Sequence, residues 1–110
     1  MEVKRGDLVL VSLPGNYGKP RPALVVQSDF FREHASVTIL PLTSALREAP
    51  LLRVTVIPDQ SNGLRAASQV MIDKTSTIAR TKVQPAFGQL DADFMLQIER
   101  LLALFLGIVK

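Results

Sequence analysis

The chain contains no cysteine, no tryptophan and one histidine in 110 residues. Without cysteine there is no disulfide scaffold and no thiolate metal site. One imidazole excludes the usual two- or three-histidine zinc sites and any acid–base mechanism built on a histidine pair. Basic runs of the kind that mark a nucleic-acid tail are also lacking. Thirteen Lys+Arg and ten Asp+Glu are scattered along the chain and leave a formal charge of +3, a mild bias toward polyanions. The longest apolar stretch with helical character lies near the C-terminus. It is interrupted by Glu99 and Arg100 and is too short to span a bilayer, so no membrane association is expected. The N-terminus is charged and lacks the apolar segment of a secretory signal, which makes a cytoplasmic location the expectation. No GxSxG, Walker loop, HExxH or Cys–His pair occurs.

What is present is a series of short apolar segments. Leu8 to Leu13 is rich in strand formers and ends at Pro14-Gly15-Asn16-Tyr17-Gly18, a loop by its turn chemistry. Ala23 to Gln27 is a second strand, whose unbroken apolar character predicts burial on both faces. Ser28 to His34 reads as a turn or short helix with Ser28 or Asp29 as N-cap. Val37 to Thr43 is a third strand, in which Pro41 argues for a strand end or a sheet edge. Arg53 to Ile57 alternates and makes a fourth. Asp59 to Gly63 is a turn, Ala67 to Asp73 a fifth strand, and Ser76 to Ala79 a short further one.

The period then changes. Asp91 is a helix N-cap, and Asp93 falls where a carboxylate meets the positive end of the helix dipole. The helix is expected to run to about Leu106, with Gly107 as C-cap. From Leu101 to Leu106 it is apolar on all sides, whereas a helix lying on its own sheet needs only a stripe. A second copy of the chain is favoured over the chain's own loops as the cover, because so small a domain rarely buries a helix completely. Strands first and one helix last argue for an α+β fold in one domain, residues 1–110: a curled antiparallel sheet or small barrel with a helix packed against it.

Several residues are placed to carry chemistry. Arg21 is held between Pro20 and Pro22, which restrict the backbone beside a Gly-rich loop. Its guanidinium is permanently charged and matches phosphate geometry. Taken alone, a surface arginine paired with a carboxylate is the simpler account. Thr43 and Ser44 stand at a strand end, where side chains line clefts or cap turns. Asp73 suits a base, an orienter of an arginine, or a cap for the next turn. Lys19, Arg47, Arg65, Lys74 and Arg80 are candidate phosphate contacts, with surface charge as the default. His34 lies in a polar stretch and reads as a solvated loop residue.

In order and spacing these segments resemble the MazF/PemK family, the RNA-cleaving toxins of toxin–antitoxin pairs. The likeness runs through Arg5-Gly6-Asp7-Leu8-Val9, Arg21-Pro22-Ala23-Leu24-Val25-Val26, Pro41-Leu42-Thr43-Ser44 and Asn62-Gly63-Leu64. It continues from Val70 through Ile78 into a helix ending Leu106-Gly107-Ile108. The resemblance implies an SH3-like β-barrel with a C-terminal helix, and a homodimer formed through the sheet and that helix. It implies an endoribonuclease that needs no metal or other cofactor. Such an enzyme cuts single-stranded RNA to a 2′,3′-cyclic phosphate and a 5′-hydroxyl. Arg21 and Thr43 would form the active site; the resemblance assigns no base, and Asp73 is the candidate if it reaches the cleft. Asn16, Tyr17, Lys19, Ser44, Arg47, Lys74, Thr75 and Arg80 would contact RNA. The implied partner is a cognate antitoxin whose disordered tail covers the RNA groove, with operator DNA reached only through it. The chemistry is sensible, because donors aimed at a phosphorane stabilise the charge it gains. The chain departs from the family in two places. Many members have a glutamate or histidine in the loop before the arginine, where Asn16-Tyr17-Gly18-Lys19 stands here, and some have arginine in place of Met71.

Two alternatives belong to other classes. One is a non-catalytic poison of DNA gyrase like CcdB, which shares the fold and is known for a Trp-Gly-Ile tail. Here the chain reads Leu106-Gly107-Ile108 and lacks the aromatic anchor. The other is an inactive SH3-like nucleic-acid-binding module, favoured only if Arg21 and Thr43 are remote from each other.

Overall fold

The computed structural model describes residues 2–15 and 19–109, so the expectations for Asn16 and Tyr17 lie outside the described residues. Its elements are β1 (Asp7–Val11), β2 (Arg21–Val25), β3 (Ser36–Thr43), β4 (Arg53–Val56), β5 (Ser68–Met71), β6 (Ser76–Ala79), β7 (Gly88–Gln89) and α1 (Ala92–Phe105). Three single-turn 3-10 helices join them, at Asp29–Phe31, Ile72–Lys74 and Arg80–Lys82. Every strand pairing is antiparallel, and the sheet runs β4-β5-β3-β2-β1-β7, with β6 also on β3. This is the curled α+β arrangement that the order of the elements predicts.

β3 organises the sheet. One edge pairs with β2, Ala23 opposite Pro41 and Val25 opposite Ile39. The other edge is divided, with Ser36–Ile39 on β6 and Leu42 and Thr43 on β5. Pro41 falls in the gap. The Val26 N–H donates to the Thr38 carbonyl at 3.2 Å, so alternation along the strand turns the Pro41 nitrogen toward the divided edge. Neither β5 nor β6 needs a donor at that point. Pro41 is therefore interior to a central strand, against the expectation of a strand end or edge.

After β6 the chain returns to β1. Val83 bridges Val11, Gln84 N–H donates to the Leu10 carbonyl at 2.9 Å, and β7 pairs with Asp7 and Leu8. Backbone pairing thus closes a circuit through β1, β2, β3, β6 and the segment at residue 83. Inside it lies one apolar cluster, including Val9, Val11, Ala23, Val25, Val37, Ile39 and Val83. The opposite face, with Leu8, Leu24, Leu40, Val54, Val56, Val70 and Ile72, packs on Met95 and Ile98 of α1. Two covered faces explain the unbroken apolar run of β2.

Local chemistry sets the ends of the elements. Gly6 has φ +94°, and the buried Asp7 carboxylate accepts from Lys4 N–H at 2.8 Å, so Arg5-Gly6-Asp7 is a turn. Ser28 caps its 3-10 turn through Phe30 N–H at 3.1 Å. Asp91 accepts from Phe94 N–H at 2.9 Å and opens α1 as expected. Gly107, at φ +76°, closes it, and Ile108 N–H reaches back to the Ala103 carbonyl at 2.9 Å. Arg5 ties α1 to the sheet, pairing with Glu99 at 2.7 Å while donating to the Val26 carbonyl. The far end of α1 stays uncovered, with Phe105 48%, Leu106 55% and Ile108 75% exposed, so the described loops do not wrap it.

Candidate active site

Side chains alternate between the two faces of a strand. In β2, Ala23 and Val25 enter the barrel interior, so Arg21 shares their face. In β3, Val37 and Ile39 point inward and Thr43 shares that face. The 23–41 register, continued by two residues, brings Arg21 opposite Thr43. On the other side of Thr43 stands Gln69 of β5, and opposite Gln69 stands Thr55 of β4. Val70 and Ile72 go to the helix side, leaving Gln69, Met71 and Asp73 on the face of Arg21. Segments 76–84 cover this face at one end of β2 and β3 and leave it open at the other.

The open end is a groove of about 700 Å³, lined among others by Arg21, Thr43, Ser44, Met71, Asp73, Lys74 and Thr75. The three proposed catalytic side chains are together, as are Ser44, Lys74 and Thr75 from the RNA-contacting set. Arg21 is exposed at its rim. The Thr43 hydroxyl accepts from Ala45 N–H at 3.1 Å, which leaves its own proton free for a ligand oxygen. Asp73 sits in the 3-10 turn after β5, and its Oδ1 is buried without a hydrogen-bond partner among the described residues. The Nη1 of Arg53, which stands opposite Met71 on the same face, is likewise buried without a partner among the described residues. Thr75 donates within its own turn to the Ile72 carbonyl at 3.4 Å, so its hydroxyl helps to shape the turn.

Other expected contacts are placed elsewhere. Arg80 donates through Nε to the His34 carbonyl at 2.7 Å, beside the start of β3. Thr43 is at the other end of that strand, about 23 Å away at the usual rise per residue. The separation follows from the antiparallel β3–β6 pairing, which carries the chain away from the groove. Arg65 lines an adjoining apolar pocket with Leu64 and Phe87, which shares Pro22 and Ser68 with the groove. Arg47 and Lys19 are exposed outside the lining of the groove.

Gln69 was not among the expected site residues. It is 6% exposed, and its amide takes Arg47 N–H at 2.9 Å and gives to the Arg47 carbonyl at 3.0 Å. The signal in the sequence is the alternation Gln69-Met71-Asp73 against Val70-Ile72.

Comparison with known proteins bears on the fold and the family. The profile described as "PemK-like, MazF-like toxin of type II toxin-antitoxin system" matches residues 4–106. The chain is 41% identical over 107 residues to the "Probable endoribonuclease MazF" of Mycolicibacterium smegmatis, covering 96% of this chain and 98% of that one. Among solved structures, a MazF toxin of Mycobacterium tuberculosis is 26% identical with a TM-score of 0.78, covering 92% of this chain and 96% of its own. An endoribonuclease in complex with its cognate antitoxin, from Mycobacterial species, superposes with a TM-score of 0.80 at 24% identity over 98% of both chains. At that identity it shows the shared fold. Profile, relative and fold agree over nearly the whole length, and the chain belongs to the PemK-like, MazF-like toxin family of type II toxin–antitoxin systems.

Proposed function

We propose that this toxin is an endoribonuclease that cuts single-stranded RNA in the groove between Arg21, Thr43 and Asp73. The observation that carries the reading is the convergence of those three side chains on one open face. The relative from Mycolicibacterium smegmatis, named a probable endoribonuclease, supports it.

The nucleophile belongs to the substrate, so no external water has to be activated. The ribose 2′-oxygen bonds to phosphorus while its proton passes to the Asp73 carboxylate. The bond from phosphorus to the 5′-oxygen breaks, and that oxygen takes a proton from solvent. The products are a 2′,3′-cyclic phosphate and a 5′-hydroxyl. Arg21 stays protonated and serves by stabilising the phosphorane, not as a base. Thr43 donates to a non-bridging oxygen and fixes the phosphate. Cleavage therefore proceeds without metal.

Two partners follow from the same reading. A cognate antitoxin, of the kind found bound in the mycobacterial neighbour, blocks the groove. A second copy of the chain covers Phe105, Leu106 and Ile108, which a lone chain leaves in water.

The test is incubation with a long single-stranded RNA in EDTA, beside Arg21→Ala, with the cut ends mapped. Cyclic-phosphate ends from the wild type alone are expected. Failure of the folded wild type to cut varied sequences overturns the reading.

A further inference from the structure

The β3–β4 loop, residues 44–52, leaves β3 directly at Thr43 and supplies Ser44 to the groove. Its first turn is fixed at two points. Ala45 N–H donates to the Thr43 hydroxyl at 3.1 Å, and both backbone groups of Arg47 are bound by the Gln69 side-chain amide. That amide thus takes the place of a neighbouring strand, receiving one hydrogen bond and giving one. Its nitrogen also donates to the Thr55 hydroxyl at 3.1 Å, which sets the amide's orientation. Gln69 is buried and lies in the same cross-sheet row as Thr43. It is the link between the catalytic row and a loop that carries an exposed arginine.

From this arrangement we infer that Gln69 is a positioning residue. It holds the loop so that Ser44 lines the groove and the Arg47 guanidinium meets a phosphate of the RNA flanking the cut. The inference rests on the nuclease reading and adds to it a second phosphate contact beyond the groove wall. An amide pinned at its N–H and carbonyl gives Arg47 a fixed origin, so less freedom is lost when its side chain binds an anion. Gln69 does not touch the reacting atoms and acts only through the loop.

The experiment is a double-mutant cycle on RNA cleavage, with hydrogen exchange of residues 44–52 followed on the same proteins. Gln69→Leu keeps the volume and removes the amide. It is expected to raise KM about tenfold with less than a threefold change in kcat. Arg47→Ala is expected to raise KM about fivefold in the wild type and to have no effect once Gln69 is replaced. Exchange at the Arg47 amide is expected to quicken by at least about tenfold in Gln69→Leu. If Gln69→Leu fails to fold, Gln69→Met serves. Its flexible thioether fills the same space, offers Arg47 N–H only a weak acceptor, loses the donor to its carbonyl, and gives a comparable rise in KM. Additive effects of Arg47 and Gln69, or an unchanged KM in the Gln69 variants, overturn the inference. If the wild type cuts no RNA, the nuclease reading falls and takes the phosphate contact with it. The loop clamp is then judged by exchange alone, and unchanged exchange overturns it as well.

Discussion

Arg21 and Thr43 begin and end neighbouring antiparallel strands, and the β2–β3 register sets them opposite each other on the open end of one face. Neither depends on a flexible loop for its position. Strand backbone on both sides fixes their separation, which is what a site for one phosphate group needs.

Replacing Arg21 therefore removes a donor without disturbing packing. Arg21→Ala is expected to lower kcat by about 10²–10³, the usual cost of losing a preorganised donor to a developing anion. The melting temperature should stay within about 2 °C of the wild type, because the side chain is exposed. Arg21→Lys should recover only part of the activity, since an ammonium cannot bind two phosphate oxygens as a fork. Single-turnover cleavage and thermal melting check both. Full activity in Arg21→Ala would remove it from the site.

Asp73 separates function from stability. Its Oδ1 is buried with no hydrogen-bond partner among the described residues, an arrangement that costs a folded chain about 1–3 kcal/mol. Asp73→Asn is expected to lower kcat by about 10²–10⁴, as loss of a general base does. The same change should leave the melting temperature unchanged or raise it. A large fall in stability with retained activity would show a structural carboxylate instead.

Gly88 is required for space. A Cβ there would lie 2.1 Å from the Asn62 carbonyl oxygen and 2.4 Å from its carbon, both backbone atoms. Asn62 cannot move aside, because its side chain is buried and bonds Ile57, Asp59 and Leu64. Gly88→Ala is expected to destabilise by about 3 kcal/mol, at the upper end for overpacking. Urea unfolding measures it, and a loss below about 1 kcal/mol would contradict the contact.

The end of α1 predicts assembly. Light scattering should give the wild type about twice its chain mass of 12.1 kDa. Phe105→Glu with Leu106→Glu should give a monomer that keeps its helical circular dichroism. A wild type that is monomeric at micromolar concentration would exclude the second copy as the cover.

Features that depend on neighbouring residues were legible from the chain alone. The Asp91 cap, the Gly107 stop, the β6 segment and the two-sided burial of β2 all follow from local hydrogen-bonding options and apolar periodicity. The nearness of Arg21 and Thr43 was suggested by the family resemblance, whereas that Asp73 lines the same groove was decided by the fold. Pro41 was misleading because its neighbours do not reveal that one edge of β3 is shared by two strands with a gap between them. β7 escaped because two residues, Gly88 and Gln89, carry no periodicity.

Alternation alone assigned each strand residue to one of two faces, because successive side chains must point oppositely. It did not determine which end of a face stays open. That depends on where segments 76–84 cross, a long-range pairing between residues far apart in the chain. The same crossing carried Arg80 to the far end of β3 and left Arg21 and Thr43 uncovered, while the pairing of β5 with β3 put the buried amide of Gln69 under Arg47.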